Sequence, residues 1–141
     1  MIRKLKTEEI DVVLDVWLKA SIKAHGFIDE TFWKSKIDVM RETYIPSSET
    51  YVFKEDEIIK GFFSLKDETL EAIFVSPEFQ SRGVGHKLMN KAKSLKKILE
   101  LTVYKENQKS LDFYKNCGFK TIKEKVDEHT GHIEVLMKYG S

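Results

Sequence analysis

The residues best suited to chemistry run from Pro77 through Glu78, Phe79, Gln80, Ser81, Arg82, Gly83 and Val84 to Gly85. An apolar stretch, Leu70 to Val75, precedes them, and Val84, Leu88, Ala92 and Leu95 follow at helical spacing, so both glycines fall where a helix begins. The first turn of a helix has amides without intrahelical partners and carries the positive end of the dipole, while glycine lets an anion approach the backbone. A pyrophosphate fits such a loop. The spacing is neither GxxxxGK[ST] nor GxGxxG, because Leu88 stands at the third glycine position, and a tight strand-to-helix turn would explain a lone GxG equally. About twenty residues further on, Asn107 opens a second helical segment and Tyr114 follows seven residues later. Seven residues are close to two turns, so both side chains project from nearly one face.

Taken together, Val75-Ser76-Pro77, Gln80 to Gly85, Asn107, Ser110, Phe113-Tyr114 and Gly118-Phe119 resemble the two signature motifs of the GCN5-related N-acetyltransferase (GNAT) superfamily, in its small single-domain bacterial type. The match is close over residues 70 to 119, and the joint occurrence of both motifs at this separation is what makes it specific. The resemblance implies an α+β fold with a mixed, mainly antiparallel central sheet flanked by helices. Two central parallel strands, Leu70 to Val75 and Ile98 to Tyr104, would splay apart to admit acetyl-CoA. Its pantetheine arm would pair with the backbone of Ile73, Phe74 and Val75 like an added strand. Amides of Ser81, Arg82, Gly83, Val84, Gly85 and His86 would meet the pyrophosphate, with Gln80 and Arg82 bracing the loop. Asn107 would bond the pantetheine or fix the splay, and Tyr114 would stand near the thioester sulfur. The implied activity is acetyl-CoA-dependent transfer to a primary amine, of a small molecule or of a protein lysine or N-terminus, by direct attack. The competing reading is a CoA-binding sensor or interaction module that has lost turnover.

Direct attack needs a base for the protonated amine and a donor for the departing thiolate. A tyrosine, with a reference pKa of about 10, keeps its proton at neutral pH, which suits Tyr114 to the donor role. For the base, relatives that acetylate protein N-termini often carry glutamate where this chain has Thr102, so that role does not transfer. Glu71 and Glu100, each on a predicted central strand, are the alternatives, and either reads equally as a flanking charge. On the acceptor side the resemblance places Trp17, Ser21, His25 and Phe27, and Thr130-Gly131, Glu134, Met137 and Tyr139 echo the same bacterial subset. The aromatics Trp17, Phe27 and Trp33 suit a partly apolar acceptor pocket, and core packing accounts for them as well. His25 at a helix end also reads as a cation complementing the dipole. Cys117, with no histidine in its segment, reads as a small buried hydrophobe.

The elements that must position these groups fit one domain spanning residues 1–141. Ile2 to Leu5 reads as a strand, and Thr7 as the cap of a helix with Ile10, Val13, Leu14 and Trp17 on one face. Asp29 caps a second helix striped by Trp33, Ile37, Met40 and Tyr44 and closed by Pro46. Thr50 to Lys54 and Ile58 to Leu65 form a hairpin around Glu55-Asp56-Glu57, and a terminal hairpin turns at Thr130-Gly131. With 24 basic and 23 acidic residues the net charge is +1, so no global field favours nucleic acid or an anionic membrane. No apolar run approaches the ~20 residues of a spanning helix, and a single cysteine closes no internal disulfide. A cytoplasmic protein without a metal site, monomeric or homodimeric, is the expectation.

Overall fold

The computed structural model describes residues 1–140. A single seven-stranded sheet runs through it in the order β1-β2-β3-β4-β5-β7-β6. The strands are β1 (Ile2–Lys4), β2 (Glu49–Glu55), β3 (Ile58–Lys66), β4 (Thr69–Val75), β5 (Leu99–Tyr104), β6 (Lys120–Val126) and β7 (Ile133–Tyr139). All neighbours are antiparallel except β4 and β5, as the resemblance implies. Between β2 and β3 the two-residue loop Asp56-Glu57 takes positive φ at both positions, 55° and 63°, the twist a tight hairpin requires.

Each face of the sheet carries its own core. On one face α4 (Val84–Leu95) and α5 (Gln108–Asn116) cover Phe63, Leu65, Leu70, Leu99 and Met137. On the other, α1 (Ile10–Ala24) lays Val13, Leu14 and Trp17 against Val52, Phe62 and the short helices that follow it. Thr7 is not the cap of α1. It opens a 3-10 turn, Thr7–Glu9, in which the Lys6 amide donates to Glu9 Oε1 at 2.9 Å and Arg3 grips the same carboxylate through both Nη atoms.

The expected second helix breaks into α2 (Glu30–Lys34), α3 (Ile37–Val39) and a π-turn over Met40–Tyr44. Asp29 caps α2 by accepting from the Thr31 amide at 2.8 Å, but the Ser35 hydroxyl bonds back to the Phe32 carbonyl and competes with helix continuation. In the π-turn the Ile45 amide reaches back five residues to Met40, so Ile45, 4% exposed, takes the buried place and Tyr44 swings out to 49% exposure. The effect is to hold Trp33 and Met40 inward beneath α1.

What positions the site is the parting of β4 and β5. Their ladder holds only at Thr69 opposite Glu100, with the Glu100 amide donating to the Glu68 carbonyl at 2.9 Å. Beyond that point β4 keeps its pairing with β3, through Phe63 to Ile73, Phe62 to Phe74 and Gly61 to Val75, while β5 stays with β7. The register of β3 and β4 slips at Ser64/Leu65, which leaves Glu71 unpaired at a bulge near the apex of the fork.

Candidate active site

A cavity of about 580 Å³ fills the fork and reaches both faces of the sheet. Its wall on the β4 side is Leu70 to Val75, whose backbone edge towards β5 has no strand partner past Thr69. Unpaired strand edges are templates for an extended ligand. At the open end, the left-handed conformations of Ser81 (φ 65°) and Gly83 (φ 82°) turn the chain into the first turn of α4, a concave arrangement of amides on a helix N-terminus. Gly83 is itself the N-cap residue, where that φ favours glycine. Gln80 ties this loop down on two sides, donating to the Val75 carbonyl at 3.0 Å and accepting from Lys23 Nζ at 3.1 Å.

Asn107 and His25 join the helices of opposite faces across the open end. Asn107 caps α5, its Oδ1 accepting from the Ser110 amide at 3.2 Å, and its Nδ2 donates to His25 Nε2 at 3.3 Å. His25 Nδ1 in turn donates to the Ser21 carbonyl at 2.9 Å, and the ring stacks on Trp33 at 4.9 Å. Both ring nitrogens are thus engaged in the neutral tautomer. Burial pushes the His25 pKa down to about 4, so this residue is not the dipole-complementing cation that the sequence also allowed.

Tyr114 reaches the cavity from α5 on the α4 face, held between Phe113 and Phe119, and burial raises its hydroxyl pKa well above the ordinary range. From the α1 face come Trp17, His25, Trp33 and Tyr104. Phe27 stands edge-on to His25, Tyr104 and His132 at 5.7, 5.7 and 5.0 Å, flanking the cavity without lining it.

Of the residues expected in the site, Ile73, Phe74, Val75, Gln80, Ser81, Gly83, Gly85, His86, Asn107, Tyr114, Glu71, Trp17 and His25 line this one cavity. Four others have side chains outside it, although the expected contribution of Arg82 and Val84 is a backbone amide of the loop, which does not depend on where the side chain lies. Val84 turns into the α4-side core, where its side chain completes the apolar face of α4, and Arg82 lies over the Phe79 ring at 5.9 Å. Ser21, on the inner face of α1, is fully buried with its hydroxyl unpartnered. Glu100 sits at the closed apex, where the strands are still hydrogen-bonded, and is not brought to the cavity.

Residues 6–139 match the model of the acetyltransferase (GNAT) domain. The chain belongs to the GNAT acetyltransferase family. It is 32% identical over 123 residues to the peptidyl-lysine N-acetyltransferase YiaC of Escherichia coli, covering 86% of this chain and 84% of that protein. It is 28% identical over 129 residues to YjaB of the same organism, also a peptidyl-lysine N-acetyltransferase, with 90% and 87% covered. The solution structure of apo YjaB superposes with a TM-score of 0.87 at 26% identity, covering 100% of this chain and 98% of that one. The PaiA N-acetyltransferase of Thermoplasma acidophilum, solved with coenzyme A, has the same fold, with a TM-score of 0.82 at 18% identity over 100% and 98%. This GNAT protein is an N-acetyltransferase, with acetyl-CoA as its acetyl donor.

Trp33, Tyr104 and Glu134 all line the fork; of these, Trp33 was expected only as one aromatic of an acceptor pocket, Glu134 only as part of the resemblance, and Tyr104 not at all. Tyr104 and Glu134 are directly opposed across β5 and β7, so their side chains share the α1 face. Alternation along β5 was the available signal, because Thr102 and Tyr104 break an apolar rhythm set by Leu99, Leu101 and Val103. Glu134 was legible only as part of a resemblance, and its place depends on a cross-strand register that a sequence does not print.

Proposed function

We propose that this GNAT enzyme acetylates the ε-amine of lysine side chains in proteins. The observation that carries the reading is the likeness to YiaC and YjaB, peptidyl-lysine N-acetyltransferases aligned over most of both chains. The geometry supports it. Trp33 and Tyr104 wall the α1 side of the cavity with Phe27 beside them, which suits an aliphatic stem entering with a polar end leading. Acetyl-CoA as substrate would lie along Ile73, Phe74 and Val75 with its pyrophosphate against the loop from Ser81 to His86, and its thioester would sit inside the fork. The amine attacks the carbonyl carbon, a C–N bond forms and the C–S bond breaks. The electron pair leaves on sulfur, and Tyr114 gives it a proton. Overall, an ammonium and a thioester become an amide, free CoA thiol and one released proton.

The test is thiol release from acetyl-CoA with a lysine peptide, the same peptide acetylated at its lysine, and spermidine, with fragmentation mass spectrometry of the peptide product. Acetyl at lysine Nε is the expected result. Turnover of spermidine alone would overturn the lysine assignment and leave the acetyltransferase itself in place. The reading includes a cytoplasmic location, which cell fractionation tests.

A further inference from the structure

Two carboxylates line the fork, Glu71 and Glu134, and they differ in setting. Glu71 is exposed at the bulge near the apex. Glu134 is half-buried on β7, directly opposite Tyr104, on the face of the sheet where His25, Trp33 and Tyr104 wall the cavity. Tyr114 enters the same cavity from the opposite face. A thioester held in the fork between them would present its carbonyl with Tyr114 on one side and Glu134 on the other. The amine adds to one face of the carbonyl and sulfur leaves from the tetrahedral intermediate, so the base must reach the incoming nitrogen and the acid the sulfur, two atoms that groups on different walls of the fork can meet separately.

We propose that Glu134 is the catalytic base, receiving a proton from the ammonium of the acceptor on the α1 side of the fork. This rests on the proposed amine acetylation and goes beyond it by naming the group. The ammonium loses one proton to the Glu134 carboxylate, and the freed lone pair forms the C–N bond. Sulfur takes its proton from Tyr114, the second nitrogen proton is lost through solvent as the amide forms and restores the tyrosine, and the proton taken up by Glu134 is the one released overall.

The surroundings of Glu134 are known from each packed element. Tyr104 faces it from β5, with its hydroxyl donating to Asp127 at 2.5 Å. Lys125 is its partner on β6, and Asp127 and His129 stand in the hairpin turn. His132 is turned away to Glu106 at 3.0 Å, and Lys105 pairs with Glu124. Burial, and then the Asp127 charge, raise the Glu134 pKa above the ordinary carboxylate value, against the lowering effect of Lys125 and His129. A carboxylate so placed is a stronger base than a solvated one, and the neighbouring negative charge also favours approach of a cation.

The experiment compares wild type, Glu134→Gln, Glu134→Asp and Glu71→Gln, with acetyl-CoA and a lysine peptide, over a pH range that brackets neutrality. Glu134→Gln is expected to lower kcat/KM by about 100-fold or more near neutral pH and to recover as pH rises and free amine accumulates. Glu134→Asp should regain part of the rate. The thermal shift produced by acetyl-CoA should be equal in wild type and Glu134→Gln, which separates a missing base from a damaged donor site. A Glu134→Gln profile that parallels wild type, or a loss seen in Glu71→Gln instead, overturns the assignment. Wild type that releases thiol with no amine overturns the acetylation reading itself. If wild type works on spermidine and not on the peptide, the lysine reading fails and Glu134 is judged on spermidine.

Discussion

Replacing Tyr114 with phenylalanine separates a chemical hydroxyl from a packing ring. The ring is held at 5.6 Å from Phe113 and 5.9 Å from Phe119, contacts that phenylalanine reproduces, so the unfolding midpoint should stay close to wild type. Acetyl-CoA affinity should also hold, because the loop amides and the free edge of β4 lie elsewhere on the cavity wall. The single-turnover rate should fall by about 100 to 10,000-fold, or roughly 3 to 5 kcal/mol of barrier, the usual contribution of a positioned general acid. The pH dependence is fixed by the direction of the shift. Burial raises the Tyr114 pKa, so the hydroxyl keeps its proton from about pH 6 to 9, and the defect should be uniform across that range. The assay is single-turnover acetylation of a lysine peptide, with a separate dissociation constant for acetyl-CoA. Equal rates in the two proteins would refute the role of the hydroxyl, and a defect confined to the alkaline side would mean that sulfur leaves unaided.

Two further perturbations test the scaffold. Gly61→Ala would bring a Cβ to 2.8 Å from the Phe74 carbonyl oxygen and 3.0 Å from Leu88 Cδ1, so β4 must move at the mouth of the fork. It should cost about 1 to 3 kcal/mol in denaturant titration and raise KM for acetyl-CoA. Gly26→Ala, where a Cβ meets nothing within 4 Å, should do neither, and equal behaviour of the two would refute the steric account. His25 has a folded pKa lowered to about 4 from 6.5, so its contribution is complete above 6.5 and is lost as pH falls from there towards 4. The unfolding midpoint of wild type should therefore drop between about pH 6.5 and 4.5, where His25→Gln loses less; identical slopes would show that His25 is not buried as a neutral ring.

The part of the cavity wall built from the start of α4 and from α5 was legible because it is local. A loop from Gln80 to Gly85 that starts a helix, and an Asn107 to Tyr114 spacing of two turns, are properties of contiguous chain. The single parallel step at Thr69 and Glu100 then gave the fork the shape that the resemblance implied. Glu100 shows the limit of such reading. It lies on the expected strand, but distance from the apex decides whether a residue on β5 meets the cavity, and that is fixed by where the ladder with β4 stops. The broken second helix failed for a local reason of a different kind, since a π-turn shifts the period by one residue and moves Ile45 into the place reserved for Tyr44. His25 was misjudged as a possible cation because its partner Asn107 lies 82 residues away.

That same bond explains how two faces of one sheet work as one site. A fork that opens through a sheet would weaken it at the centre, where β4 and β5 share almost no ladder. The structure ties the opening at its rim instead, through Ser21, His25, Asn107 and Ser110 from α1 to α5, and through Lys23 and Gln80 from α1 to β4. The chain from Ser21 to Ser110 is made of neutral groups, so its buried members carry no uncompensated charge, and protonating His25 Nε2 would set a donor against the donor of Asn107. Acid that protonates His25 should therefore loosen the contact between α1 and α5 at the rim, and a fall in the unfolding midpoint that is smaller in His25→Gln would trace the loss to this ring.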